Sequence, residues 1–287
     1  MTLQNSDVKH NIFPRSYDYV INNESKFKWH PDAGKPNSSQ AIAVDFWGCV
    51  SNSPMKNEIL NLLFSKNAFD WEIEFEYTNR KVLSEKISTQ IDVKIESKST
   101  LIAIFIESKF TEEDGGSCTQ WSYKTKKGVI QCNGCFELQK NENNNVISKC
   151  ALIGKGIKYW EYIDKLTDYN QNEVYTTPCC PFKYGTFQWM RNICFAKAYG
   201  DNFGFNTETY LAYYESEKCS ISKKVNNGTY LGTLKDKIKN LDSLKPKSYN
   251  KMLETIIDYL KDKNIDEKQV WDDLRKFLTQ KENEIKP

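Results

Sequence analysis

At 287 residues the chain exceeds one minimal domain and is within reach of a single decorated one. Its 39% hydrophobic and 13% aromatic content suffices for a packed core, which excludes a disordered chain. Forty basic against 38 acidic residues leave a net charge of +2, so any nucleic-acid surface must be local, and no apolar run near 18 residues predicts a transmembrane helix.

The first residues, MTLQNSDVKHNIF, lack the apolar stretch of a secretory signal, and a cytoplasmic chain is expected. Nine cysteines in that setting read as thiols or metal ligands rather than disulfides. Residues 1–40 mix aromatics with Pro, Asn and Gly and read as a packed, non-helical lead-in. His10 and His30 both fall there. Two histidines make a triad or a His-rich metal site unexpected, and each reads as a solvated or capping side chain.

AIAVDFWGCV (41–50) fits a strand or the first half of a helix, which periodicity does not separate. Ser53-Pro54 then gives a helix start, and MKNEILNLLFSKN follows with Ile59, Leu62, Leu63 and Met55 on its core face. Glu58 neighbours that face, either as a solvated helix charge or as part of a site. WEIEFEYTN (71–79) alternates, with Trp71, Ile73, Phe75 and Tyr77 inward and Glu72, Glu74 and Glu76 outward. KVLSEKIS is a connector.

Residues 89–113 read as a hairpin. A two-residue loop, Ser99-Thr100, sets Asp92 directly opposite Glu107. A four-residue loop starting at Ser97 sets Asp92 opposite Phe105, diagonal to Glu107. Either register keeps Asp92, Glu107 and Lys109 on one face, since the side-chain period of a strand is two. Paired carboxylates repel unless a cation sits between them. All-oxygen ligands favour Mg²⁺ or Mn²⁺, and Lys109 can stabilise a developing anion or orient a water.

Residues 114–181 form an insertion opened by Gly115-Gly116. Cys118, Cys132, Cys135 and Cys150 lie in it, with a C-x-x-C knuckle at 132–135. Free buried thiols and a structural Zn²⁺ site both remain open, as do a cluster or a disulfide. FKYGTFQWMRNICFAKA (182–198) reads as a helix carrying Gln188 and Arg191, and residues 208–219 as a strand. KKVNNGTYLGTLKDKIKN is basic and turn-containing. Two amphipathic helices follow from Tyr249, free to pack on the core or to bind a partner.

An Asp, a short hairpin and a buried strand ending Glu-x-Lys resemble the PD-(D/E)xK nuclease superfamily, here as Ile91-Asp92 and Glu107-Ser108-Lys109. Ile91 stands where the superfamily's name has Pro. SSQA at 38–41, ESKFTE at 107–112 and PFKYGTFQWMRN also resemble a little-characterised bacterial restriction-endonuclease-like family, over about residues 36–215. The resemblance implies an α/β fold: a mixed β-sheet core flanked by helices, with the Cys-rich insertion and C-terminal helices added. It implies a nuclease-like domain over 1–220 with the insertion at about 114–181, and a basic segment and helical appendix over 221–287. It further implies a Mg²⁺-dependent nuclease hydrolysing DNA, in defence against foreign DNA and alongside a partner protein of such a system. Asp92, Glu107 and the backbone carbonyl of Ser108 would hold the metal, with Glu58 adding a water-mediated contact. Lys109 would activate water, and Gln188 would orient Lys109, a water or the substrate. The rival expectations are a catalytically silent nuclease-like DNA-binding or scaffolding subunit, and a zinc-stapled interaction module.

Overall fold

Five strands form one sheet in chain order: β1 (Glu72–Thr78), β2 (Gln90–Ser97), β3 (Ile102–Lys109), β4 (Asn206–Tyr213) and β5 (Lys245–Ser248). The first three run antiparallel, and β4 and β5 join in parallel, which makes the sheet mixed. The computed structural model describes residues 5–23, 27–85, 88–121, 156–166, 180–183, 185–230 and 240–285, with single residues 152, 234 and 238.

Helices cover both faces. On the first lie α1 (Pro14–Asn22), α2 (Ser39–Ser51) and α3 (Lys56–Phe64). The short α4 (Arg80–Leu83), α5 (Tyr159–Leu166), α6 (Phe187–Phe203) and α7 (Ser220–Asn226) pack on the second. The last two, α8 (Tyr249–Leu260) and α9 (Ile265–Glu284), return to the first. This is the α/β architecture expected from the sequence.

The ambiguous apolar run is α2. Every residue from Gln40 to Val50 is buried, so the helix is apolar all round and shows no amphipathic period. The Ser38 side chain caps it by accepting from the Ala41 amide at 3.2 Å. The lead-in departs from expectation, because residues 14–22 are helical. Pro14 opens this helix, where its missing N–H costs nothing, and Tyr17 and Val20 bury against the core. Ser16 donates to the Asp45 carbonyl at 2.5 Å, and a Cβ on Gly48 would meet Ser16 Cβ at 3.0 Å, so α1 and α2 cross closely. Residues 80–83 and 220–226, which run into the expected connector (81–88) and the basic, turn-containing segment (223–240), are also helical.

Residues 221–287 add the fifth strand and two core helices to the same sheet. A buried ion pair fastens α9 to α2, with Lys281 Nζ 2.5 Å from Asp45 Oδ2. Glu267 adds a second tie, 2.9 Å from Arg15. The two helices therefore pack on the core, one of the two roles left open above.

The register runs from Ser97↔Ile102 to Val93↔Ile106, the pairing a two-residue loop would set, although the turn spans Lys98–Leu101. One irregularity positions the site. Ile73 and Phe75 pack into the first-face core, yet Tyr77 packs against the second. Val93 and Ile95 face the first core, and Ile91 the second. Alternate residues of a regular strand share a face, so both strands turn over at the same rung. Glu76 sits there with φ +53, between the pairs Phe75↔Val93 and Tyr77↔Ile91, and Asp92 lies opposite.

Candidate active site

β3 is apolar from Ile102 to Ile106 and then delivers Glu107, Ser108 and Lys109 beside Leu211, Ala212 and Tyr213 of β4. All three are buried. Glu107 and Lys109 point to the second face, where their side chains pair at 2.9 Å and are 2% and 5% exposed. Helix α6 lies over them. Gln188 and Asn192, four residues apart, share one side of that helix. Lys109 Nζ donates to Gln188 Oε1 at 3.1 Å, and Asn192 Nδ2 donates to Glu107 Oε2 at 2.6 Å.

A glycine strap sets the start of α6. The Gln188 amide donates to the Gly115 carbonyl at 2.8 Å, and the Phe187 amide to the Gly116 carbonyl at 3.0 Å. Gly116 has φ +69, a conformation that favours glycine. A Cβ on Gly115 would meet the Trp189 ring at 2.9 Å. These contacts fix Gln188 above Lys109.

Asp92 reaches across from β2, and its Oδ2 accepts the Ser108 amide at 2.7 Å. The Ser108 side chain points to the other face, 2.9 Å from the Tyr249 hydroxyl and 3.3 Å from the Ser39 carbonyl. Burial, then Glu107 and Glu76, push the Asp92 carboxyl well above the ordinary range, against the pull of Lys109 and the Ser108 amide. Burial alone would lower Lys109, but Glu107, Glu112 and Asp92 outweigh it and hold the ammonium charged.

Glu76 completes the acidic cluster. Its side chain is 6% exposed, although strand alternation places it outward. It accepts from Gln40 Nε2 at 2.7 Å, from Gln90 Nε2, and from His30, whose Nε2 lies 3.5 Å away. His30, expected as solvated or capping, is half exposed and paired to a buried acid.

Asp92, Glu107, Ser108, Lys109 and Gln188 thus converge, while Glu58 stands apart. It is exposed on the first turn of α3, whose adjacent Asn57 bonds the Phe69 carbonyl and the Trp71 amide ahead of β1. That places the helix start by the opposite end of β1 from Glu76. Arg191 faces the Phe187 ring at 5.5 Å. Sequence reading missed Asn192, Glu76, Gln40 and the pairing of His30. The four-residue spacing from Gln188 pointed to Asn192, whereas nothing in WEIEFEYTN marks Glu76 as the residue where the strand turns over. Cys118 is buried, and Cys132, Cys135 and Cys150 lie outside the described residues.

Among the described residues no three His, Cys, Asp or Glu side chains form a metal cage. The donors nevertheless fit a Mg²⁺-type ion, which takes one or two protein carboxylates and fills its shell with water and phosphate oxygens. Asp92, partly buried, and Glu107, buried, are two such carboxylates, with Lys109 beside them. Beside Glu107 the buried Asn192 Oδ1 has no hydrogen-bond donor among the described residues, an acceptor suited to a metal-held water.

Neither a curated protein nor a solved structure matches the chain. Residues 5–274 match the family model described as restriction endonuclease associating with ARP. That match covers the sheet, the residues gathered around Lys109 and most of the C-terminal helices, and the chain belongs to this family.

Proposed function

We propose that the protein is a metal-dependent nuclease of the PD-(D/E)xK kind, which hydrolyses phosphodiester bonds in DNA. One observation carries this reading: buried Glu107 and Lys109 meet the partly buried Asp92 at the end of β3, under Gln188 and Asn192. Three carboxylates near one lysine make a strongly anionic, desolvated centre, which is costly to maintain without a cation to bind. The family description adds support, since it names a restriction endonuclease.

In this reading Asp92, Glu107 and the Ser108 carbonyl hold Mg²⁺ or Mn²⁺. The ion, when bound, lowers the pKa of water and offsets charge on the phosphoryl oxygens. Lys109, kept protonated by its acidic neighbours, orients the attacking water and stabilises negative charge as it develops. Gln188 and Asn192 hold Lys109 and Glu107 in one geometry, so little reorganisation is needed at the moment of reaction. The family description also names association with ARP, and we carry that partner over to this chain, with a role in defence against foreign DNA.

The test is cleavage of plasmid and linear DNA with Mg²⁺ by wild type, Asp92→Ala and Lys109→Ala. Cutting by wild type with a loss of at least about 100-fold in both variants is expected. Equal activity in all three would remove the catalytic assignment, and folded but inert protein in all three would favour a silent DNA-binding subunit.

A further inference from the structure

The site has a second half that the metal-and-lysine chemistry leaves idle. His30 sits in the segment ahead of α2, pinned on both sides. Gln40 accepts from the His30 amide at 2.8 Å and donates to the Lys28 carbonyl at 2.9 Å. The same amide group of Gln40 donates to Glu76 at 2.7 Å. Trp29, buried against Phe27 with ring centroids 4.5 Å apart, anchors the backbone between them. The result is an imidazole 53% exposed, backed by a carboxylate 6% exposed. Glu76 holds that place only through its left-handed backbone, φ +53, on the rung that carries Asp92. Strain of this kind persists where the surrounding structure over-determines it, as at a working site.

We propose that His30, braced by Glu76, is a further catalytic residue: it donates the proton to the sugar oxygen that departs when the phosphodiester is cut. The assignment rests on the nuclease reading and adds the acid that reading lacks. Lys109, held against Glu107 at 2.9 Å and Gln188 at 3.1 Å, is assigned to the attacking side, so the leaving oxygen needs another donor. Water oxygen forms a bond to phosphorus and releases its proton to solvent. The bond from phosphorus to the leaving oxygen breaks, its electron pair stays on that oxygen, and an imidazolium proton of His30 neutralises it. The imidazole then recovers a proton from solvent. Nε2 lies 3.5 Å from the Glu76 carboxylate, so in this proposal Nδ1 is the nitrogen that donates.

The charged groups around the imidazole agree with this role. The hydrogen bond to Glu76 raises the His30 pKa, partial burial opposes it, and of the neighbouring charges Glu76 favours the imidazolium while Lys109 disfavours it. The balance is upward, so His30 carries its proton further toward neutral pH than a free histidine. Carboxylate-backed histidine is a recurrent proton carrier because the acid fixes ring orientation and supports the charged form.

The experiment compares two DNA duplexes, one with an ordinary phosphodiester at a position the wild type cuts, the other with sulfur in place of the leaving oxygen. A thiolate departs without protonation. With Mg²⁺, His30→Ala should lose about 10²–10⁴-fold in kcat on ordinary DNA. On the sulfur-bridged duplex its deficit should shrink to within about tenfold of wild type, the rescue that loss of an acid predicts. An unchanged kcat on ordinary DNA overturns the assignment, as does an equal loss on both duplexes, which marks a binding or structural role. If wild type cuts and Asp92→Ala does not, either result refutes His30 alone. If wild type cuts neither duplex, the nuclease reading fails and the acid falls with it. NMR supplies a readout independent of cleavage, because His10 and His30 are the chain's two histidines and His10 is exposed. The His30 imidazole should titrate above the ordinary histidine value of 6.5 in wild type and fall in Glu76→Gln. A wild-type His30 titrating at or below 6.5 overturns the bracing even if Glu76→Gln does not fold.

Discussion

Asp92→Asn should abolish cleavage and raise the stability of the metal-free protein. Asp92 is partly buried, and desolvation, Glu107 and Glu76 all disfavour its charge. The Asn oxygen can keep the 2.7 Å bond from the Ser108 amide, so the substitution removes the charge and little else. A gain of about 1–2 kcal/mol is expected, the usual size for relieving a functional strain. For a chain of this length each kcal/mol moves Tm by about 2–4 °C, which gives a rise of about 2–8 °C. The sign with pH follows from linkage. A folded pKa raised above the unfolded value means that stability is fully present below the unfolded pKa and is lost as pH rises through the folded one. Wild type and variant should therefore unfold alike in acid, and the advantage of Asn should open upward from the ordinary aspartate value of 3.8. The assay is thermal unfolding in EDTA across pH, repeated with Mg²⁺. Mg²⁺ should stabilise wild type by mass action and leave Asp92→Asn unmoved. A variant that unfolds below wild type at neutral pH in EDTA would refute the reasoning, since Asp92 would then be a net stabilising partner of Lys109 and Ser108.

Two further outcomes follow from contacts around the site. Lys281→Met strips the partner from a fully buried Asp45 and should cost about 3–5 kcal/mol, read by urea unfolding, whereas adding Asp45→Asn should recover much of it. A double variant no more stable than Lys281→Met would remove the ion-pair explanation. Gly115→Ala drives a Cβ to 2.9 Å from the Trp189 ring. It should destabilise by about 1–3 kcal/mol and slow cleavage by displacing Gln188 from Lys109. Wild-type rates from that variant would show that the strap does not position the helix.

The reach of the sequence differs from residue to residue. Glu107, Ser108 and Lys109 were legible because an apolar strand that ends in charges has few readings, and hairpin register follows from counting. Gln188 was singled out by the family resemblance of its helix, and local pattern alone marks it only as a polar helix residue. Glu58 was not decidable: its position beside a core face is equally that of a solvated charge, and the placement of α3 by the far end of β1 settled it. Helix α1 escaped notice because its Pro, Asn and aromatic content matches irregular chain, while its stability comes from packing on α2. The cysteine knuckle, at Cys132 and Cys135, lies outside the described residues.

Local chemistry in the sequence thus determined the hairpin and the face shared by Glu107 and Lys109, because side-chain period and turn length are short-range properties, while the mixed α/β class followed from the family resemblance. Tertiary structure alone decided the other half of the site. Glu76 belongs to the exposed face by alternation, and it enters the interior because β1 turns over at φ +53 on the rung of Asp92. His30 and Gln40 meet it from a segment more than 30 residues earlier in the chain. No local pattern encodes such a meeting. It arises where α2 packs across the sheet and brings the segment ahead of it onto a buried carboxylate.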